Sequence, residues 1–567
     1  MTQTNASRSN QESSRNAHET AERNSRRQFL SQVGAAAAGT GAAMMTGTVD
    51  AKTAVPGDKS EVGVSRVRSV AARSVRVGVA REQFLVRSPV NQANGDEDEL
   101  PDFIGSFTKT LPHNAVGEVD AEAYRAYLQA LKGRSDTAWE HIALAPEADR
   151  KLANPQASLA FSLVGGDSHA FFMPPAPGFS SAETAAEMAE VYLHALLRDV
   201  PFEAYGSDPS ADFAARELST FSGFTGPLQG GTVTPSTLFR GSFAGDLTGN
   251  YVSQFLLLPV PQGAALTEQR YQTTVPGDDH MLNREDWLNV LRGGAPATVS
   301  RFEPEPRFIT TARDLGEYVH QDYTYQTYLQ AALILLGLGT PLRAGNPYNT
   351  SATQGGFVTF GAAEVLSQIG DVALQALRAA WYQKWQVHRR LRPEVFGGRV
   401  QFTRSGERSY PINSELLNSP VLDAVADANN GELWLPMAYP EGSPTHPAYP
   451  AGHAAIAGAC VTVLKAFFDG SSVIPEPVEV VPGSDGQALQ PYSGPEALTV
   501  EGELNKLANN IAIGRNLAGV HWRTDGTDGI LLGEDVAVRM LRDLRQTYNE
   551  VAGEIRFTGF AGNTIVI

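Results

Sequence analysis

Apolar residues recur along this chain with a helical period. In residues 180–200, Met188, Val191, Tyr192, Ala195 and Leu196 fall at i, i+3, i+4, i+7 and i+8, which is one stripe of an amphipathic helix. Ser180 and Glu183 stand at its start in the spacing of a capping box, in which each side chain satisfies a backbone N–H that the first turn leaves without a partner. Residues 325–338 and 453–468 are apolar nearly all round, as expected of helices enclosed on every side. Val365, Ile369, Ala373, Ala376 and Ala380 mark a further inward stripe. No alternation of strands with helices and no repeat of fixed period is present, which disfavours nucleotide-binding parallel sheets and solenoids. Short strands are expected only at 478–481 and 488–490, where Pro-Gly-Ser-Asp-Gly separates two small runs like a hairpin. The predicted class is mainly α with minor β hairpins.

Composition narrows the function classes. The 567 residues are 42% hydrophobic and 19% charged, a globular profile whose length permits several domains or one large helical body. Lys and Arg number 45 against 62 Asp and Glu, and a net charge of −17 disfavours nucleic acid as a partner. The single cysteine, Cys460, rules out an intramolecular disulfide and any Cys-based metal site. The apolar run 33–45 is too short to cross ~30 Å of hydrocarbon, so no membrane span is expected. It follows Ser25-Arg26-Arg27-Gln28-Phe29-Leu30, and the two together look like a twin-arginine export signal over residues 1–51, cleaved after Ala51, of a periplasmic or secreted protein. Residues 52–79 read as a linker or N-terminal arm without helical period, 80–330 as an N-terminal helical half and 331–567 as a C-terminal helical bundle.

Three segments do not fit a purely structural reading. The inward stripe ending at Ala380 continues to Lys384, His388 and Arg392, which at 100° per residue lie within 80° of one another. Cations aimed at a core face imply an anion that compensates them; the alternative is a solvated basic helix end. In Thr445-His446-Pro447-Ala448-Tyr449-Pro450-Ala451-Gly452-His453, Pro450 and Gly452 place His453 at the N-terminus of the apolar helix 453–468. Free N–H groups there bind anions, and the helix dipole favours a neutral histidine suited to general-base work; a structural histidine near a cap is the alternative. Leu504, Ala508 and Ile511 step to Arg515, and Gly519 ends that helix just before His521, with Asp525 four residues on and able to orient the ring. Taken together, three inward cations, a helix N-terminus and two non-equivalent histidines, without comparable buried carboxylates, describe a pocket for a multiply charged oxyanion such as phosphate or vanadate.

Lys384-x7-Arg392-Pro393, Pro450-x-Gly452-His453 and Arg515-x5-His521 resemble the three-part signature of the vanadium-dependent haloperoxidases and the type 2 phosphatidic acid phosphatase superfamily. Lys-Trp-x-x-His-Arg-x-Leu-Arg-Pro-Glu at 384–394, Thr-His-Pro at 445–447 and Gly-Val-His-Trp at 519–522 are similar to the red-algal bromoperoxidase branch and its bacterial relatives. The likeness covers roughly residues 80–567 and implies two helical bundles packed side by side, with the site in the C-terminal half. It further implies that His521 binds vanadium, that Lys384, Arg392, Arg515 and the Gly452 N–H hold vanadate oxygens, and that His453 is the acid/base. His446 corresponds to a second pocket histidine, with His388 and Asp525 close by. Hydrogen peroxide and halide are the implied substrates, bromide or iodide foremost, with small organic acceptors and a homo-oligomeric assembly.

One departure stands out: the family usually has Pro-Ser-Gly-His, and here Ala451 replaces the serine. A hydroxyl able to hydrogen-bond an oxyanion is thus missing. Relatives can hold a structural calcium ion ahead of the first motif, but residues 346–357 carry no carboxylate and would bind a hard cation weakly. The alternatives are an acid phosphatase, which more often spaces the first motif as Lys-x6-Arg-Pro, and a non-catalytic oxyanion-binding homologue. A zinc or two-metal hydrolase is disfavoured, since the histidines lack closely spaced carboxylates.

Overall fold

The structure, a computed structural model, describes residues 61–133 and 136–567. The export signal assigned to residues 1–51 lies outside the described residues, as does the start of the arm. From Glu61 the arm is not irregular: α1 (Glu61–Leu85) runs through it. Its stretch lacks proline and is rich in Arg and Ala, good helix formers that offset the Val residues and the absence of a clear stripe. Of the described residues, 61–78 belong to one unit and Val79–Ile567 to another, and the site lies wholly within the second.

That second unit is mainly helical. The elements that build the site are α2 (Ala182–Leu196), α3 (Ala312–Gln321), α4 (Gln326–Gly337), α5 (Ala362–Tyr382), α6 (Pro393–Arg404), α7 (Gly452–Phe467), α8 (Val500–Leu517) and α9 (Arg523–Arg545). One continuous hydrophobic cluster runs from Ile104 through Phe560, so the halves divided at residue 330 share a core. At its centre α7 packs against α5, α8 and α9, and every residue of α7 except His453 is buried. Small residues permit the close crossing with α9. A Cβ on Gly458 would stand 1.9 Å from the Ile530 carbonyl, and one on Gly533 2.0 Å from that of Ala455.

Two local expectations shift. The cap of α2 is Ser181, whose hydroxyl accepts the Thr184 N–H at 3.1 Å. The Gly178 carbonyl takes both the Ser181 N–H and the Thr184 hydroxyl, so the chain turns past Ser180 and the Ser180/Glu183 box does not form. A capping box does occur at α3, between Thr311 and Asp314. The described residues contain three two-stranded antiparallel ribbons. The pair β3 (Val478–Val480) and β4 (Leu489–Pro491) is the expected hairpin, while β1 (Val260–Gln262) with β2 (Ala265–Thr267) and β5 (Arg556–Thr558) with β6 (Thr564–Val566) were not foreseen. Among the described residues no helix is long and apolar enough to cross a membrane.

The end of α5 matters most. The α-helix stops at Tyr382 and continues as a π turn, Gln383–His388, closed by Arg389 at φ 43°. Arg392 is then extended, at φ −90° and ψ 155°, and is the cap residue of α6, with Pro393 at the first helical position. The 100° projection therefore fails after Lys384. Arg392 reaches the site from the mouth of the next helix, not from the face that carries Lys384.

Candidate active site

Four chain segments converge on one buried pocket. The π turn presents Lys384, the cap of α6 presents Arg392, the last turn of α8 presents Arg515, and the turn between α8 and α9 presents His521. Gly519, at φ 87°, makes that last turn possible: its left-handed backbone ends α8 and brings His521 back toward Arg392. All four side chains are buried. The Lys384 ammonium donates to the Pro447 and Ala448 carbonyls at 2.7 and 2.8 Å. Arg392 donates to the carbonyls of His446 (3.0 Å) and Val520 (2.6 Å) and to the rings of His521 and His446, both at 2.9 Å. Arg515 donates to the Val319 carbonyl at 2.7 Å, and its Nε has no hydrogen-bond partner among the described residues.

None of these three cations forms an ion pair among the described residues. Two buried cations beside them are paired: Arg390 with Glu187 at 2.6 Å and Asp525 at 2.9 Å, and Lys109 with Glu394 at 3.4 Å. Buried carboxylates are thus plentiful, contrary to the sequence reading, but they serve other partners. Burial and the charge of Arg392 hold Lys384 well below the usual ammonium range, and burial pushes Arg392 down to about 9. Leaving three cations in this state costs several kcal/mol unless an anion joins them.

The ring of His521 is oriented by Asp525, whose carboxylate lies 2.8 Å from Nδ1. Nδ1–H therefore donates, and Nε2 offers its lone pair toward Arg392. Asp525 is itself fixed by Arg390 and by the Trp522 N–H at 3.1 Å. Burial, followed by the charges of Arg392, Lys384 and Arg515, holds His521 well below the ordinary imidazole range. The ring stays neutral and able to act as a ligand. His446 is depressed for the same reasons and faces the indole of Trp381, with centroids 4.7 Å apart.

At the N-terminus of α7, the Ala451 N–H donates to the Asp525 carbonyl at 2.9 Å, and no side chain caps the helix. The Ala455 N–H closes the first turn on the Ala451 carbonyl, so the N–H groups of Gly452, His453 and Ala454 remain first-turn donors. A Cβ on Gly452 would meet Leu377 and Trp381 at 3.3 and 3.4 Å. Glycine here keeps the backbone close to those side chains. His453, 28% exposed against 2% for His521, is the more open of the two histidines, and its Nε2 lies 2.9 Å from Asp322.

Nearly every expected residue is in or beside this pocket. His388 has no hydrogen-bond partner on either ring nitrogen among the described residues; its ring meets Tyr449 edge-on at 4.7 Å, and burial pushes it down to about 3. The sequence reading missed Asp322 and Arg390. Asp322 follows α3, 131 positions before His453, and carries no local signal. Arg390 was hidden in the run Arg389-Arg390. A separate cleft of about 940 Å³, lined by Phe202, Tyr251 and Tyr492 among others, contains none of the site residues.

The fold and the anion cradle define a vanadium haloperoxidase-type helical protein. Residues 369–550 match the family described as the VCPO second helical-bundle domain. A vanadium-dependent bromoperoxidase of Ascophyllum nodosum is 39% identical over 512 residues, covering 86% of this chain and 90% of that protein. One of Corallina pilulifera is 36% identical over 553 residues, covering 83% and 91%. The homohexameric structure of the second vanadate-dependent bromoperoxidase of Ascophyllum nodosum superposes with a TM-score of 0.85 at 32% identity, over 92% of this chain and 93% of that one. The chain belongs to the vanadium-dependent bromoperoxidase family.

Proposed function

We propose that this protein oxidises halide, bromide or iodide foremost, with hydrogen peroxide in a vanadate-dependent reaction, releasing hypohalous acid that halogenates small organic acceptors. The observation that carries this reading is the set of three buried cations, without carboxylate partners among the described residues, around the Nε2 lone pair of His521, which here accepts only from Arg392. That donor set fits a tetrahedral or trigonal oxyanion. Lys384, Arg392 and Arg515, with the Gly452 N–H, would hold its oxygens, and His521 Nε2 would ligate its central atom. Bound vanadate supplies a Lewis-acidic centre at which peroxide becomes electrophilic toward halide.

The chain's own groups do the rest. Asp525 keeps the proton of His521 on Nδ1 and so leaves Nε2 as ligand. His453, at the open side of the pocket and backed by Asp322, would be the group placed to accept a proton from peroxide and to return it to a leaving hydroxide as water. Burial of the cradle keeps water from screening its charges. Export by the twin-arginine route and a homo-oligomeric state belong to the same proposal, the latter supported by the homohexamer of the structural relative.

The test is purified protein with and without added orthovanadate, assayed for halogenation of a phenolic acceptor across a chloride, bromide and iodide panel with hydrogen peroxide. Vanadate-dependent bromide or iodide turnover is expected. Its absence throughout mildly acidic to neutral pH rejects the proposal, and hydrolysis of an aryl phosphate by the vanadate-free protein would favour the phosphatase instead.

A further inference from the structure

The last turn of α3 touches the pocket twice. The Val319 carbonyl accepts from Arg515 at 2.7 Å, and Asp322, just beyond the helix, holds His453 at 2.9 Å. Any shift of this turn moves both an oxyanion-binding cation and the acid/base. Between the two contacts lies His320, which none of the site motifs includes. Its Nε2 is 2.8 Å from Glu441 and its Nδ1 3.2 Å from Glu317. Its ring lies parallel to Tyr439, with centroids 3.8 Å apart and an interplanar angle of 10°. The Tyr439 hydroxyl donates to the Gly316 carbonyl at 2.5 Å, and the Arg515 guanidinium sits over the same phenol ring at 5.5 Å. Glu441 is anchored in turn, its carbonyl accepting from Lys109 and Arg150, each at 3.0 Å. His446 follows five residues later in the same segment.

We infer that His320 is a positioning residue of the oxyanion site: held between Glu317 and Glu441 and stacked on Tyr439, it fastens the last turn of α3 to the segment carrying His446 and so sets Arg515 and His453. The inference rests on the oxyanion-site reading above. Two carboxylates can only accept when ionised, so both ring nitrogens must donate, which requires the imidazolium. Burial opposes that charge, but the hydrogen bonds and charges of Glu317 and Glu441 outweigh it and raise His320 to about 9. Glu441 is lowered correspondingly to about 2, burial opposing and His320 prevailing. The other groups facing the pair are Gln321 on α3, Lys109 and Arg150 at the Glu441 carbonyl, and Arg515 across Tyr439. Because the folded-state value lies above the ordinary 6.5, the clamp is complete below 6.5 and is lost as pH rises through about 9.

Orthovanadate binding to the vanadate-free full chain, measured by titration calorimetry, tests this without turnover. His320→Ala should weaken binding about tenfold at neutral pH, and the ratio to the parent should narrow toward one as pH rises through about 9. Taking that ratio removes the titration of vanadate itself. His320→Arg, which restores a planar permanent cation, should recover the neutral-pH affinity to within about threefold and abolish the narrowing. An alanine variant within twofold of the parent, or one whose deficit is the same on both sides of pH 9, overturns the inference. Should the alanine variant not fold, Glu441→Gln keeps the ring in place with one carboxylate fewer, and an alkaline limb that does not move to lower pH overturns it equally. Inorganic phosphate serves as a second probe for the same comparison. A parent that binds either oxyanion but oxidises no halide rejects the functional proposal alone.

Discussion

Restoring the missing serine offers the sharpest test of how the cradle works. Ala451 is fully buried at the cap of α7, with φ −68° and ψ 127°, and its own N–H is already used by the Asp525 carbonyl. In Ala451→Ser the new hydroxyl meets the N–H of Ala454, three residues on, in the ordinary geometry of a serine cap, a contact typically contributing about 1 kcal/mol. That leaves its proton free to donate to an oxyanion. A hydrogen bond to a charged group contributes about 1.5–3 kcal/mol, so at 1.4 kcal/mol per decade orthovanadate should bind about 10- to 150-fold more tightly. Because the hydroxyl already has an N–H partner in the vanadate-free protein, no penalty for an orphaned buried group offsets the gain. Calorimetric titration of parent and variant with orthovanadate, with a denaturation midpoint for each, measures both effects. An affinity unchanged within twofold in a variant of undiminished stability refutes the claim that the helix N-terminus of α7 contributes directly to the cradle.

Two further outcomes follow from the same accounting of buried charge. Lys384→Met removes a buried cation that has no ion pair but donates to the Pro447 and Ala448 carbonyls, so orthovanadate affinity should fall about 100-fold or more, while relief of the buried charge offsets the two lost hydrogen bonds and the denaturation midpoint stays nearly unchanged; a marked loss of stability would show that Lys384 is structural. Asp246 is fully buried, with one carboxylate oxygen lacking a partner among the described residues, and burial raises it to about 7. The folded chain therefore keeps this proton after the unfolded chain has lost it. Stability should decline from the ordinary value of 3.8 up to about 7 and then level off. Asp246→Asn should flatten that decline, gaining about 2–4 kcal/mol on the parent between pH 4 and pH 8 in urea titrations, and an unaltered slope would contradict it.

The buried helices were legible because their residues carry the information locally. Residues 453–468 are apolar on every side and become α7 at the centre of the bundle, and the four-residue step from His521 to Asp525 survives as a 2.8 Å hydrogen bond across the first turn of α9. The motif cations were legible for a thermodynamic reason: a Lys or Arg on an apolar face demands a partner, and among the described residues no carboxylate supplies one. What the chain hides is where periodicity changes. Nothing in Lys384-Trp385-Gln386-Val387-His388 marks a π turn or the extended Arg392 that follows it, so an α projection brings Arg392 in from the wrong side. Asp322 was invisible because its partner, His453, comes from a distant helix, and a single carboxylate after an amphipathic stretch reads as an ordinary helix end.

The π turn also bears on how such sequences are compared. A π segment holds more residues per turn than an α-helix and lets a chain absorb one extra residue without realigning the helix before it or the one after it. Seven residues between Lys384 and Arg392 are therefore not a ruler of the distance between two charges. Part of that count is slack taken up by the backbone, and a chain with six could present the same two cations by running straight where this one widens. Removing Val387 alone would ask whether a change from seven to six intervening residues acts through side chains at all, or through how the main chain enters the pocket.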